Sequence, residues 1–203
     1  MGRPRDPDND EAILGATLHL LSRDGYARMT LQAVAKEAAV SKATIHLRWK
    51  TKADLATAAM EYASLVDLPP LVGDTRQDLI AQLRWYEGAV EQFSAMGIRG
   101  VCLAEESSTP ELLRVLRERG AVPRLQNLMT ILDAARGRRE IDPDADVEAA
   151  ARLLYGEYYA EYIPGEASAD LVERSVDLIL RGIGYKGGIE TQPKLRSLAT
   201  GSK

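Results

Sequence analysis

Residues 25–55 read GYARMTLQAVAKEAAVSKATIHLRWKTKADL, and the cap residues in this stretch decide the fold of the N-terminal part. Thr30 and Ser41 are residue types that commonly accept a hydrogen bond from the first turn of a helix. They predict a short helix over 31–38, a two-residue link and a second short helix over 41–49. Two short helices joined so tightly are typical of a helix-turn-helix, whose second helix can enter the major groove of DNA.

The second short helix has one apolar and one polar face. Ile45 and Trp49 stand four residues apart, so they share the side that we expect to pack against the other helices. Thr44, Leu47 and Arg48 follow i, i+3, i+4 spacing on the opposite side. This outer side is the one that would meet base edges and phosphates in a groove.

Charge is distributed unevenly along the chain. The formal net charge of −4 over 203 residues argues against a protein that simply coats nucleic acid, because such proteins are strongly basic. Residues 1–52, however, carry nine basic and six acidic side chains, whereas residues 53–203 carry 17 basic and 24 acidic ones. The segment 41–52 contains four cations and no acid, which favours DNA binding over the alternative of a solvated helical hairpin.

The composition is that of a folded intracellular protein. Hydrophobic residues make up 45% of the chain and charged residues 28%, which excludes a disordered protein. The single cysteine, Cys102, cannot form an intramolecular disulfide and points to a reducing compartment. No export signal and no apolar run of about 20 residues is evident, so we expect a cytoplasmic protein.

Every periodic segment is helical, and the fold class is predicted to be all-α with about nine helices. An N-terminal three-helix helix-turn-helix domain would be followed by a C-terminal helical bundle. The Pro-rich stretch 68–73 interrupts the helical pattern and suggests the boundary. The predicted units are a DNA-binding domain (1–51), a connecting helix (52–66), a ligand-binding and dimerisation domain (67–185) and a flexible tail (186–203).

Particular residues predict where several helices begin and end. Gly25 should end the first helix, and Pro143 and Ser168 should mark the starts of the last two. Gly120 and Pro123 should kink or split the helix that contains them.

Residues 10–55 resemble the N-terminal DNA-binding domain of the TetR family of transcriptional regulators. The resemblance implies a homodimer that binds a pseudo-palindromic operator, most simply as a repressor, and that a small molecule releases when it shifts the connecting helix. It also implies which positions meet double-stranded DNA: Thr30, Gln32, Ser41, Lys42, Ala43, Thr44, His46, Leu47, Arg48 and Lys52.

Three positions depart from the usual family residues. Ala39 stands where the turn usually has Gly, and it costs on the order of 1 kcal/mol if the backbone there has positive φ. His46 stands where Tyr is common, and Leu47 replaces a polar or aromatic residue. His46 could donate to a phosphate and Leu47 could contact a thymine methyl group, or both could be spectators.

The N-terminal residues Arg3 and Arg5 also have two readings. They could form an arm that reaches phosphates or the minor groove. They could equally belong to a frayed terminus, since acidic residues follow them.

The C-terminal half concentrates aromatic residues, with four of the eight tyrosines in 155–162. Such residues can line a small-molecule pocket, form a subunit interface or pack in an ordinary core. We predict a pocket for a largely apolar effector, lined by Trp85, Tyr86, Ala89, Cys102, Tyr155, Tyr158 and Tyr159. In the family the last two helices form a four-helix bundle with those of a second subunit, which implies an interface at Ala151, Leu154, Tyr162, Val172, Ser175, Val176 and Ile179.

No catalytic set, metal site or cofactor motif is evident. Both histidines, His19 and His46, lie in the N-terminal part, and His19 is expected to be a packed side chain. Cys102 has no nearby His or second Cys. Two alternatives remain: a DNA-bound regulator or architectural module without small-molecule control, and an all-α enzyme that uses carboxylates alone.

Overall fold

The computed structural model describes residues 7–63, 68–92, 95–163 and 168–188, and within these ranges every regular element is a helix. The all-α prediction and the expected number of helices are therefore confirmed for the described part of the chain. Its nine helices are α1 (Pro7–Arg28), α2 (Leu31–Glu37), α3 (Lys42–Arg48), α4 (Lys52–Ala63), α5 (Thr75–Gln92), α6 (Ala95–Ala104), α7 (Pro110–Val115, continuing through a π-helical segment Leu116–Ala121 into Val122–Gly137), α8 (Val147–Tyr162) and α9 (Leu171–Gly182).

The predicted caps form around the helix-turn-helix. Gly25 adopts φ 79° and breaks the regular geometry of α1 one turn before its end. The Thr30 hydroxyl accepts a hydrogen bond from the Ala33 amide at 3.1 Å, and the Ser41 hydroxyl accepts one from the Thr44 amide at 3.0 Å. These bonds satisfy amides that have no partner inside their own helices, which fixes where α2 and α3 begin.

The predicted starts of the last two helices are wrong. Pro143 lies in a loop, and α8 begins after Asp146, whose carboxylate accepts a hydrogen bond from the Ala149 amide at 2.9 Å. Ser168 does not cap α9; its hydroxyl contacts the Asp170 carboxylate at 2.7 Å, and Asp170 directly precedes the helix. In both places a nearby aspartate takes the position that we had assigned to another residue.

Helix α7 is irregular where Gly120 and Pro123 predicted a kink or a break. It continues through a π-helical segment, in which the Val122 amide donates to the Arg117 carbonyl five residues earlier. Proline has no amide hydrogen, so Pro123 cannot make the regular bond to the preceding turn. A single wide turn accommodates this loss without ending the helix.

Two buried hydrophobic clusters organise the packing. The first joins α1–α4 to α6 and the start of α7, and it includes Ile13, Val34, Ile45, Leu55, Ile98, Cys102 and Leu112. The predicted packing of Ile45 and Trp49 against the other helices is confirmed, because Ile45 is fully buried, as is Val34 of α2, and Trp49 packs against this cluster. The second cluster joins α5, the later part of α7, α8 and α9. The predicted division into domains stays a prediction, since the first core draws on helices beyond residue 67.

Helix α6 approaches α1 very closely at one point. A methyl group on Gly97 would lie 2.7 Å from the Ser22 hydroxyl and 3.1 Å from the Ser22 carbonyl oxygen. Only glycine allows the two helices to pack at this distance. Helix α6 is therefore fixed against the helix-turn-helix part of the molecule.

His19 is not a packed core residue, contrary to the prediction. Its side chain is 57% exposed and pairs with Glu37 of α2. The helix pattern around it is apolar, but His19 lies on the side of α1 that faces solvent beside α2.

No helix in the described ranges is long and apolar enough to cross a lipid bilayer. The same residues hold no group of three or more His, Cys, Asp or Glu side chains arranged to bind a metal ion.

Candidate DNA-binding and effector sites

The turn between α2 and α3 is a Schellman motif. The Val40 amide donates to the Ala35 carbonyl at 2.9 Å, and the Ala39 amide donates to the Lys36 carbonyl at 3.3 Å. Ala39 adopts φ 54°, the left-handed conformation that this motif requires. The departure from glycine at position 39 is therefore a real source of strain in this chain.

Helix α3 presents a face that is exposed to solvent. Lys42, Ala43 and His46 are exposed, and Leu47 is 79% exposed although it is a large apolar residue. Thr44 is half-buried, and its hydroxyl lies 2.8 Å from the Ser41 hydroxyl.

Two of the cations predicted to contact DNA are engaged within the protein. The Arg48 side chain is 16% exposed, and its Nε lies 2.7 Å from the Asp10 carboxylate of α1. The Lys52 ammonium donates to the Tyr26 carbonyl at 2.8 Å and lies 4.2 Å from the centre of the Tyr26 ring. Both cations tie the helix-turn-helix to its neighbours in this conformation.

The remaining predicted DNA contacts lie around the N-termini of α2 and α3. Thr30, Gln32 and Ser41 are exposed at the surface. The hydroxyls of Thr30 and Ser41 already accept hydrogen bonds from backbone amides as helix caps. A contact with DNA would therefore be an additional hydrogen bond of the same hydroxyl groups. Arg3 and Arg5 lie outside the described residues.

A cluster of aromatic rings joins α5 to α8. The buried Tyr86 ring lies 5.6 Å from Tyr155 and 5.7 Å from Tyr158, measured between ring centres. Tyr159 packs against Tyr155 at 6.2 Å, and Tyr162 stacks on Tyr158 at the same distance. The four tyrosines predicted for one pocket thus lie close together, and Tyr162, which was predicted for the subunit interface, joins them.

The cavity at this cluster has a volume of about 20 Å³, which is room for about one water molecule. Of the predicted lining residues, Trp85, Tyr86 and Tyr155 surround it, together with Leu68, Gln82, Leu83, Arg124 and Leu128. Tyr158 and Tyr159 belong to the aromatic cluster around it. Ala89 is a residue whose side chain lies outside the described part of the structure.

Cys102, which was predicted for the pocket, does not line this cavity. It lies in the first hydrophobic cluster, and its thiol contacts the Met60 sulfur at 3.8 Å. Burial raises the pKa of the Cys102 thiol to about 11, so the group stays protonated and unreactive near neutral pH. This placement agrees with the alternative of a small buried apolar residue.

Two arginines flank the aromatic cluster, and sequence reasoning missed both. The Arg99 guanidinium carbon lies 5.2 Å from the centre of the Tyr86 ring, and that of Arg124 lies 5.3 Å from the same centre. Arg99 is only 4% exposed. Among the described residues, neither guanidinium forms an ion pair, and three of their nitrogens are buried without a hydrogen-bond partner. The signal available in the sequence was one arginine inside the apolar segment IRGVCL at 98–103.

The titratable groups of this cluster are strongly affected by burial. Burial raises the pKa of Tyr86 far above its usual value, so its hydroxyl is neutral. Burial lowers the pKa of Arg124, although the neighbouring tyrosines oppose that change and the charge of Arg99 adds to it. The Tyr86 hydroxyl makes no well-aligned hydrogen bond with the described residues, although Tyr155 is close enough to influence its pKa.

Four of the residues predicted for a subunit interface cannot face a partner. Ala151, Leu154, Val172 and Val176 are buried inside the protomer, where α8 and α9 pack on each other and on their neighbours. Ser175 and Ile179 are half-buried, and Tyr162 is 55% exposed. Burial therefore leaves Ser175, Ile179 and Tyr162 as the predicted interface residues that are accessible on the protomer surface.

The outer side of α8 and α9 carries large exposed apolar residues that the prediction missed. Leu153 of α8 and Leu178 of α9 are 63% and 68% exposed. An open groove of about 460 Å³ lies beside them, where the start of α8 meets the end of α9. Leu153 and Ile179 are among the residues that line it. Exposed apolar surface of this kind commonly marks an interaction site.

Comparison with known proteins identifies the family. Residues 13–59 match the family described as bacterial regulatory proteins, tetR family, and residues 69–179 match the tetracyclin repressor-like C-terminal domain. An HTH-type transcriptional regulator of Mycobacterium tuberculosis is 35% identical over 185 residues, covering 88% of this chain and 91% of that protein. The DNA-binding transcriptional repressor TetR of Mycobacteroides abscessus is 33% identical over 144 residues, covering 70% of this chain and 75% of that protein.

The fold agrees with this family. A crystal structure of a TetR transcriptional regulator from Agrobacterium tumefaciens superposes with a TM-score of 0.67 at 21% identity, covering 90% of this chain and 97% of that one. The exposed face of α3, the strained turn before it and the two matching domains all agree with the resemblance in residues 10–55. The chain belongs to the TetR family of bacterial helix-turn-helix transcriptional regulators.

Proposed function

We propose that the protein is a homodimeric repressor, which binds a pseudo-palindromic operator through α3 and is released by a small molecule. The observation that carries the proposal is the exposed surface of α3, on which both the cation Lys42 and the apolar side chain of Leu47 are open to solvent. A cation at this position can contact a phosphate, and an exposed leucine can contact a thymine methyl group. Operator DNA as the partner agrees with the cytoplasmic location predicted from the sequence.

The proposed DNA contacts divide into two roles. Lys42, Ala43, Thr44, His46 and Leu47 would meet the groove directly, and Thr30, Gln32 and Ser41 would meet the flanking phosphates. Arg48 and Lys52 would hold α3 in position through Asp10 and Tyr26, because their charged groups already contact these residues.

The exposed leucines of α8 and α9 support a dimer. Pairing α8 and α9 with a second copy would bury Leu153 and Leu178, which otherwise expose apolar area to water. A two-fold pair of helix-turn-helix units binds two half-sites one helical turn of DNA apart, with about 34 Å between the recognition helices. The expected operator is therefore pseudo-palindromic.

Replacing Lys42 with alanine tests the DNA contact. Each protomer would lose one phosphate contact, so we expect Lys42→Ala to weaken binding to operator and to unrelated DNA alike. The steepness with which affinity falls with salt should decrease by about one per bound subunit. Fluorescence anisotropy with DNA from upstream of the gene, measured over a range of salt concentrations, records both effects.

Lys186→Ala is the matched control, since Lys186 is an exposed lysine at the other end of the chain. It should leave both affinity and salt dependence unchanged. Equal behaviour of the two variants would place the DNA-binding surface elsewhere.

A charge on the outer side of α9 tests the dimer. Leu178→Glu should convert the dimer to monomers, because burying two carboxylates in the interface costs several kcal/mol. Sedimentation velocity measures the change, and operator affinity should fall with it. Leu103→Glu is the control, since Leu103 of α6 is 60% exposed and lies outside the proposed interface. A dimeric Leu178→Glu variant would show that another surface joins the subunits.

A regulator without small-molecule control is the second candidate. The observation that favours it is the volume of the aromatic cavity, since about 20 Å³ leaves no room for an organic ligand in this conformation. Release of bound operator by any small molecule would decide against it.

A further inference from the structure

Arg99 and Arg124 place two positive charges beside the same tyrosine ring in the interior of the protein. Their guanidinium carbons lie 5.2 and 5.3 Å from the centre of the Tyr86 ring. No carboxylate of the described residues pairs with either of them, and Nε and one terminal nitrogen of Arg99 are buried without an acceptor. Burying two like charges without a counter-ion is costly, and natural proteins retain such an arrangement where an anion compensates it.

None of the side chains that the structure describes is paired with these arginines as an anion. Both arginines approach the ring of Tyr86, and burial keeps the hydroxyl of this residue protonated by raising its pKa far above the physiological range. The cation–π contacts with Tyr86, Tyr159 and Trp85 recover part of the cost, but three of the guanidinium nitrogens, two of Arg99 and the Nε of Arg124, remain without acceptors. These guanidinium nitrogens carry only N–H donors, so a ligand that satisfies them must present hydrogen-bond acceptors.

The residues that line the cavity indicate which chemical group is attached to the anion. The cavity beside Arg124 is lined by the rings of Trp85, Tyr86 and Tyr155 and by leucine side chains. Flat aromatic walls favour a flat aromatic ligand, and a planar carboxylate matches the fork of donors on an arginine. A strongly hydrated ion such as phosphate would lose its water shell against these apolar walls without replacement.

We propose that this cluster is a binding site for an aromatic carboxylate, whose carboxylate lies between Arg99 and Arg124 and whose ring packs among the tyrosines. Its role as the effector site rests on the proposed function, whereas the binding of the anion does not. The cavity holds about one water molecule in this conformation, so a larger ligand must displace Trp85 and Arg124, two lining residues that are only half-buried.

Direct titration tests the site. Benzoate, salicylate, cinnamate and 2-naphthoate, each paired with its primary amide, are added to the full-length protein in which Trp49→Phe leaves Trp85 as the fluorescent reporter. At least one acid should change Trp85 fluorescence, and its amide, which lacks the charge, should bind about tenfold more weakly or worse. Equal binding of acid and amide would overturn the anion site, as would the failure of all four acids. If inorganic phosphate bound as tightly as the aromatic acids, the proposal that the ligand carries an aromatic ring would be overturned.

Methionine substitutions provide a second test, and its first measurement is made on the unliganded protein. Arg99→Met removes a buried charge that has no partner, so the melting temperature of the unliganded protein should stay equal or rise. The same variant should lose the fluorescence response to the acids. Arg119→Met, at an exposed position of α7, is the matched control and should retain that response. A fall of several degrees in the melting temperature of Arg99→Met alone would show that the arginine stabilises the core, which would overturn the proposal.

Operator binding measured on the same samples separates this proposal from the proposed function. Acids that bind and release the operator support both. Acids that bind without affecting the operator support the anion site and contradict its role as the effector site. A wild-type protein that binds no DNA contradicts the proposed function, and the fluorescence titration then decides the anion site alone.

Discussion

At the scale of single residues, Ala39 adopts a backbone conformation that favours glycine, and this lowers the stability of the fold. The Schellman turn after α2 requires a left-handed residue, and Ala39 adopts φ 54° where glycine would be unstrained. The tight turn still forms because Val34 and Ile45, on either side of it, are fully buried in the first hydrophobic cluster. Tertiary packing therefore outweighs the local preference.

Replacing Ala39 with glycine should raise the free energy of unfolding by about 1 kcal/mol, because it removes the backbone strain. Urea denaturation followed by circular dichroism measures this. Ala38→Gly is the matched control: Ala38 has φ −78°, so glycine there adds only backbone freedom and should destabilise the protein. Stabilisation by both variants, or by neither, would contradict the strain at position 39.

At the scale of elements, α6 connects the aromatic cluster with the helix-turn-helix. It carries Arg99 against Tyr86 and, two residues earlier, Gly97 against Ser22 of α1. Cys102 on the same helix contacts Met60 of α4. A ligand that changes the position of Arg99 would therefore act directly on two helices that hold the DNA-binding part. Such a change shifts affinity only as far as the ligand prefers one position of α6 over the other.

Gly97→Ala should push α6 away from α1, because the added methyl group meets the rigid backbone of Ser22 as well as its hydroxyl. We expect the free energy of unfolding to fall by about 1–2 kcal/mol and operator affinity to change with it. Gly100→Ala on the same helix meets no atom within 4 Å, so it should stabilise by up to about 1 kcal/mol through helix propensity. Urea denaturation and DNA-binding anisotropy are measured for both variants. Similar results for the two would show that the close approach of Gly97 to Ser22 does not limit the packing of α6 on α1.

At the scale of the whole molecule, ion pairs fasten α9 to α5. Arg76 lies 2.6 Å from Asp177, whose side chain is 9% exposed, and Arg84 contacts Glu173 at 2.6 Å. These pairs link residues about 90 to 100 positions apart in the chain. They orient the helix whose outer side carries Leu178, and so they help to set the proposed dimer geometry.

Asp177→Ala should lower the free energy of unfolding by about 2–3 kcal/mol, because it leaves the Arg76 charge in a partly buried place without this carboxylate. Glu148→Ala removes an exposed pair with Arg152, in which both side chains are more than half exposed. It should cost less than about 0.5 kcal/mol. Thermal and urea denaturation measure both; equal costs would mean that the Arg76–Asp177 pair contributes no more than a surface pair.

The sequence by itself determined the helix-turn-helix, because that motif depends on neighbouring residues. Caps such as Thr30 and Ser41, the short link before α3 and the i, i+4 pair of Ile45 and Trp49 are all local features. The same local reasoning went wrong at α8 and α9, where Asp146 and Asp170 stand at the helix starts instead of the residues we had chosen.

Only the tertiary structure decided which sides of the C-terminal helices face the core. Helices α8 and α9 carry apolar residues on several sides, so periodicity could not separate the buried Leu154 from the exposed Leu153. It also could not reveal that Arg99 and Arg124, 25 positions apart on different helices, share the Tyr86 ring. Caps and turns are specified within a few residues along the chain, whereas burial and the pairing of distant charges are set by which helices pack together.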